Sequence, residues 1–227
     1  MENANVTSKR NLNFKKGLQQ IKHDLIDFPL YIISSPFKGY GDIKFEGEGK
    51  TWVATVILLI FGFVQIIKEV YSGYLFNSNK PEDINILMIF ATSVLPILLL
   101  TIANWSITTL MDGTGSMKDI YMVFTYSLYL PIIFNIIQVV LSNVMSLDES
   151  AFVYFFAGFS IVAYCLYAFI GLVTVHEFGF LKSVMAVILT IAAILIILFI
   201  TVLLISLMGE VFIFIRTIIS EIILHLS

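Results

Sequence analysis

The chain has 227 residues, 59% of them hydrophobic and 13% charged, with a mean hydropathy of +0.95 and a formal net charge of −3. Soluble domains are roughly 45–50% apolar and about 25% charged, so this chain has too little polar surface to coat a water-borne core. One cysteine, Cys165, excludes an intramolecular disulfide framework and a cysteine-based metal site within one chain.

Residues 1–16 are polar and basic, with no apolar core leading to a cleavage site, and read as a mobile arm rather than a cleaved signal. From Gly17 to Ile33, apolar residues recur at Leu18, Ile21, Leu25, Phe28 and Ile32, which is helical spacing. Gln20, Asp24, Asp27 and Tyr31 lie mostly opposite, and Pro29 is expected to bend the helix. The segment is too short and too charged to span, so the expectation is an amphipathic helix lying in the membrane interface. Pro36, Gly39 and Gly41 break it, and Asp42 to Lys50 reads as a polar linker. Residues 1–50 thus form an N-terminal arm and interfacial helix.

Five stretches are long and apolar enough to cross a hydrocarbon core of about 30 Å. They lie at about 51–70, 84–110, 119–141, 151–175 and 184–208. Trp52 marks an interface at the start of the first. Pro96 and Pro131 fall inside the second and third, where neighbouring helices in a bundle satisfy the freed carbonyls. The tail 209–227 places Val211, Ile215, Ile218, Ile219 and Ile222 on one side, with Glu210, Thr217, Glu221 and His225 on the other. It reads as a second interfacial helix on the far surface, with a sixth crossing as the alternative. The fold class is therefore an all-α membrane protein: a five-span transmembrane helical bundle with amphipathic interfacial helices at both termini.

Orientation follows the basic residues. Eight of the 13 Lys and Arg precede Trp52, and the second and fourth hinges carry Lys118 and Lys182. By the positive-inside rule the N-terminus is cytoplasmic and, after five spans, the C-terminus is outside. Gly47-x-x-Lys50, Gly115-x-x-Lys118 and Gly179-x-x-Lys182 each precede a span that leaves the cytoplasm. A turn-releasing glycine followed by a snorkelling lysine accounts for the repetition.

Two constellations are candidates for function. The hinges contain Asp112, Gly113, Gly115, Lys118 and Asp119, and then His176, Glu177 and Lys182. Carboxylates and a histidine are metal ligands or acid–base groups by type. His176-Glu177 lacks the second histidine of a helical zinc motif, and Asp112–Gly115 lacks the Gly-Lys-Ser/Thr ending of a phosphate loop. The expectation is a docking surface for a partner, without a catalytic, cofactor or metal site. Inside the membrane, Ser93, Thr101, Asn104 and Thr108 share one stripe of the second span, and Asn135, Gln138 and Ser142 one of the third. Such stripes face protein and form interhelical hydrogen bonds worth about 0.6–2 kcal/mol each. The sharper reading is a polar path for a solute, with Asn104, Asn135 and Gln138 as its candidate residues. No charged residue sits near the middle of a span, which favours adhesion between helices over ion coupling.

The chain resembles the Yip1-type membrane protein family in its bacterial branch. The resembling pieces are Ser35-Pro36-Phe37-Lys38-Gly39-Tyr40 with Asp42-Ile43-Lys44, and Ser72-Gly73-Tyr74-Leu75-Phe76-Asn77. More specific are Asn104-Trp105, the run Thr109-Leu110-Met111-Asp112-Gly113-x-Gly115-Ser116-x-Lys118-Asp119-Ile120-Tyr121, Tyr126-Ser127-x-x-x-Pro131, and His176-Glu177-Phe178 with Lys182. The resemblance implies a five-span bundle with a cytoplasmic N-terminus. Eukaryotic relatives are non-enzymatic membrane adaptors for small GTPases. Bacterial members resemble accessory proteins of solute uptake, often encoded beside sugar ABC-transporter components. The function expected is thus a non-enzymatic membrane adaptor or scaffold, accessory to a transport system, with a solute transporter or channel subunit as the alternative. Its partners are the lipid bilayer and another membrane or cytoplasmic protein, ABC-transporter components among them. Homo-oligomers are compatible with this reading, and nucleic acid is not expected.

Overall fold

A computed structural model describes residues 19–77 and 84–226, with side chains to residue 221. The arm expected over residues 1–16 lies outside the described residues. Helices account for nearly all of the rest, with no strand among the described residues. Two short helices, α1 (Phe28–Ser34) and α2 (Pro36–Gly41), precede the long ones. These are α3 (Thr51–Tyr71), α4 (Ile86–Leu110), α5 (Met117–Tyr126) and α6 (Tyr129–Val144), α7 (Ser150–His176) and α8 (Phe180–Leu226). Five are apolar and long enough to cross a membrane, with α5 and α6 together making the third crossing.

That third crossing is broken in its middle, where the sequence reading has an unbroken span. Pro131 has no N–H to give, so the helix loses its bond to the carbonyl of Ser127. The chain tightens there: Leu128 N–H donates to Thr125 O at 3.1 Å, three residues back. The Ser127 hydroxyl donates to Val123 O at 2.7 Å and shares a 2.7 Å hydrogen bond with the hydroxyl of Tyr40. Pro96 leaves α4 continuous, so a proline alone does not break a span in this bundle.

Tyr40 comes from the N-terminal segment, which is packed into the bundle. Its apolar face carries Phe28, Ile32, Tyr40 and Ile43, all under 6% exposed. The interfacial reading is corrected in one respect: this face meets protein helices rather than lipid. Phe28 meets Tyr126 edge to face at 5.7 Å, and the Tyr167 hydroxyl donates to Ile33 O at 2.7 Å. Burial pushes the Tyr40 phenol well above its ordinary pKa, so it stays a neutral hydrogen-bonding group. Pro29 is accommodated by a π-helical turn at His23–Asp27, in which Phe28 N–H reaches back to His23 O. Asp42–Glu46, expected as linker, forms another π turn, because Ile43 follows Tyr40 into the core. It ends at Gly47, whose φ of 69° is left-handed. Lys50 then pairs with Asp24 at 2.5 Å, tying the entrance of α3 to the N-terminal segment.

The far end corrects a second expectation. The tail 209–227 does not form a helix of its own; α8 runs 47 residues through Gly209 without a break. One interior glycine costs a helix only about 1 kcal/mol, and helix-compatible residues continue on both sides. At about 1.5 Å per residue, α8 is about 70 Å long, roughly twice what the hydrocarbon requires.

Two crossings approach closely at Gly171, where an added methyl would lie 2.5 Å from a methyl of Val123 and 3.2 Å from the Tyr40 ring. Gly171→Val is expected to destabilise the bundle by about 1–3 kcal/mol. Unfolding titration in mixed micelles measures it; a wild-type midpoint would show that α5 and α7 do not meet at this distance.

Candidate functional site

Three segments converge at one end of the bundle. The turn between α4 and α5 contains Asp112–Ser116, the turn between α7 and α8 contains Glu177–Gly179, and the π turn after α2 supplies Lys44. Helix α4 closes with a left-handed Asp112, φ 58°, after which Gly113 N–H donates to Thr108 O at 2.8 Å. Helix α5 opens on a capping box: Ser116 and Asp119 satisfy each other's backbone N–H groups, at 3.3 and 2.9 Å. Helix α7 closes on Glu177, left-handed at φ 56°.

His176 joins the two turns. It is 2% exposed, and its ring stacks on Phe178 with centroids 5.3 Å apart. Its Nδ1 accepts from Gly115 N–H at 3.3 Å, so in the neutral ring the proton sits on Nε2. That Nε2 is buried with no partner. A methyl added at Gly113 or Gly115 would come within 2.7 Å of the imidazole. Both glycines are thus needed for close approach, a stronger demand than the turn alone makes. Thr114 closes the joint: its hydroxyl donates to Val175 O at 3.1 Å, and its carbonyl accepts from Lys44 Nζ. Lys44 also lies 3.8 Å from the Asp119 carboxylate.

The structure therefore brings together Asp119, Gly113, Gly115 and His176, all singled out in the sequence, and adds Lys44, Thr114 and Phe178. Asp112, Lys118, Glu177 and Lys182 project outward and are exposed, and Lys182 Nζ sits 4.2 Å above the Phe178 ring. Leu110, Met117, Phe180 and Leu181 are exposed around them. Among the described residues, no three His, Cys, Asp or Glu side chains cluster in a way that could hold a metal ion.

The intramembrane stripes separate. Asn104 is 1% exposed and its amide donates to Thr190 on α8 at 3.0 Å, while Thr101 and Thr108 return their hydroxyls to carbonyls one turn back. Within that stripe Asn104 alone reaches α8, and its Oδ1 is buried without a partner. Asn135 and Gln138 face the other way, toward α3 and α7, and line two cavities that Asn104 does not reach. Ser142 accepts from Gly73 N–H at 2.9 Å, pinning the loop after α3. Lys68, Gln65, Ser160 and Tyr164, which share the Asn135 cavity, were not candidates in the sequence.

The family model described as the Yip1 domain matches residues 30–213, a stretch that contains both turns, Lys44, four of the membrane crossings and most of the fifth. No curated protein and no solved structure matches the chain.

The wedge of His176 against the glycines sets a test. Gly115→Ala is expected to cost about 1–3 kcal/mol in the wild-type background and clearly less in His176→Ala, a coupling of about 0.5–3 kcal/mol. Strictly additive effects in detergent unfolding would mean that the ring does not pack on Gly115.

Proposed function

Because the chain belongs to the Yip1 domain family and is built to cross a membrane five times, we propose that it is a non-catalytic membrane adaptor, accessory to a membrane transport system, whose hinge end holds a second protein. The partner class is a membrane or cytoplasmic component such as an ABC-transporter subunit, in a bacterial plasma membrane. Charge supports the orientation: Lys22, Lys38, Lys44, Lys50, Lys118 and Lys182 belong to the hinge end, against Lys68 and Arg216 elsewhere among the described residues. The hinge end and the N-terminus are accordingly cytoplasmic, and the C-terminus is outside.

Glu177 carries this reading. An exposed glutamate is held at φ 56°, where glycine is the natural occupant and a side chain costs about 1–2 kcal/mol. Among the described residues its side chain makes no hydrogen bond or ion pair that would repay that cost. It projects beside exposed Asp112, Lys118 and Lys182 on a base that Lys44, Thr114 and His176 lock in place. A fixed, charged, partly apolar surface suits recognition of one protein partner.

Replacing Glu177 by glycine separates stability from function. Glu177→Gly is expected to raise unfolding stability by about 1 kcal/mol while lowering partner capture at least tenfold. Photo-crosslinking in cells from position 118, followed by purification in mild detergent and mass spectrometry, reads the capture. A chain that crosslinks to nothing from this surface, or to the same partner at the same yield in Glu177→Gly, overturns the adaptor reading.

A further inference from the structure

The opposite half of the bundle contains a cavity of about 280 Å³ between α3, α6 and α7. Five polar side chains line it: Gln65, Lys68, Asn135, Ser160 and Tyr164. Not one of them makes a hydrogen bond or an ion pair to the protein through its side chain among the described residues. Asn135 and Ser160 are 3% and 5% exposed, and the Tyr164 hydroxyl is sealed from solvent without a partner. Buried polar groups in native proteins are almost always paired, and in lipid an unpaired one is costly. A sealed, unpaired Tyr164 hydroxyl with four more polar side chains around the same space therefore points to a polar occupant.

The lining states its chemistry. Two amides and two hydroxyls both donate and accept, Lys68 supplies a positive charge, and the cavity contains no carboxylate. Leu128 and Pro131 at the start of α6 also face it, so the positive end of a 16-residue half-helix adds to the preference for an anion. A smaller cavity of about 170 Å³ shares Lys68 and is lined by Glu69, Ser72, Asn77 and Gln138 near the loop after α3, so the one carboxylate nearby lies outside the main cavity. The Gln138 carbonyl oxygen there is also buried and unpaired. At the low end of the size range of ligand pockets, the main cavity suits a small molecule or one head group.

We propose that this cavity is a binding site for a phosphate ester bearing free hydroxyls, with its anionic oxygens at Lys68 and its hydroxyls on Asn135, Ser160 and Tyr164. Such a group is presented equally by a soluble polyol phosphate and by a lipid with a phosphoglycerol head group. The site stands at the other end of the molecule from the adaptor surface and does not depend on that reading.

Delipidated full-length protein is the material for the test. One arm titrates it with sn-glycerol phosphate by calorimetry; the other places it in nanodiscs of phosphatidylcholine with or without phosphatidylglycerol and counts retained lipid by native mass spectrometry. Saturable binding of glycerol phosphate identifies a soluble source, and selective retention of phosphatidylglycerol alone identifies a lipid source. Either is expected to weaken about tenfold in Lys68→Gln and by a smaller factor in the volume-conserving Tyr164→Phe, with Lys38→Gln unchanged. Tyr164→Phe also serves should Lys68→Gln not elute as a folded species. No saturable binding of either probe, which would leave only water in the cavity, overturns the proposal. So does binding that neither variant weakens.

Discussion

Lipid offers a backbone no hydrogen bonds, so a span interrupted in mid-membrane must find its partners within the protein. The third crossing is interrupted at Ser127, whose hydroxyl returns to Val123 O and also meets the Tyr40 hydroxyl, carried in from outside the five spans. Together with Phe28 on Tyr126 and Tyr167 on Ile33 O, that contact holds the N-terminal segment on the bundle. With Tyr40 seated against Gly171 and Ser127, α2 is fixed, the π turn that follows it is fixed, and Lys44 arrives over the turn between α4 and α5. The hinge surface thus inherits its shape from a defect in the membrane interior.

The same interruption links the two ends of the molecule. On the N-terminal side of the break, α5 begins at the capping box of Ser116 and Asp119 and belongs to the hinge end. On its other side, α6 opens toward the cavity that contains Asn135 and Lys68. A ligand in the cavity and a protein on the hinges would therefore each bear on one half of the same broken helix. Discontinuous helices are common where membrane proteins bind polar ligands at depth, for this reason.

The five crossings were legible because hydrocarbon thickness imposes a length that composition reveals directly. The convergence of Gly113, Gly115 and His176 was partly legible: alternating hinges with lysines had to share one side. Their contact was not, because nothing in the spacing says that an imidazole will lie against two glycines. Pro96 and Pro131 look alike in the sequence, and their settings differ only in the folded chain: Ser127, four residues before Pro131, meets Tyr40, whereas Thr92, four before Pro96, bonds its own helix. Periodicity in residues 17–33 found Phe28 and Ile32 on the buried side but not Ile21, which is exposed, nor Asp24, which is buried against Lys50. Lys68 stood one turn from the end of a span, where a lysine is ordinarily a snorkelling anchor; three helices must pack before it becomes part of a cavity. The tail from Gly209 reads as a separate helix in the sequence, and α8 continued through it because one glycine is a small penalty in a long apolar helix.

The central claim is that residues 28–46 are part of the bundle's core through Tyr40. Hydrogen–deuterium exchange of the full-length protein in nanodiscs, comparing wild type with Ser127→Ala, measures this most directly. The account predicts that amides of residues 36–46 exchange as slowly as those of α5 in the wild type and markedly faster in the variant. Fast exchange over that segment in the wild type, as for a helix resting loosely on the bilayer surface, would contradict it.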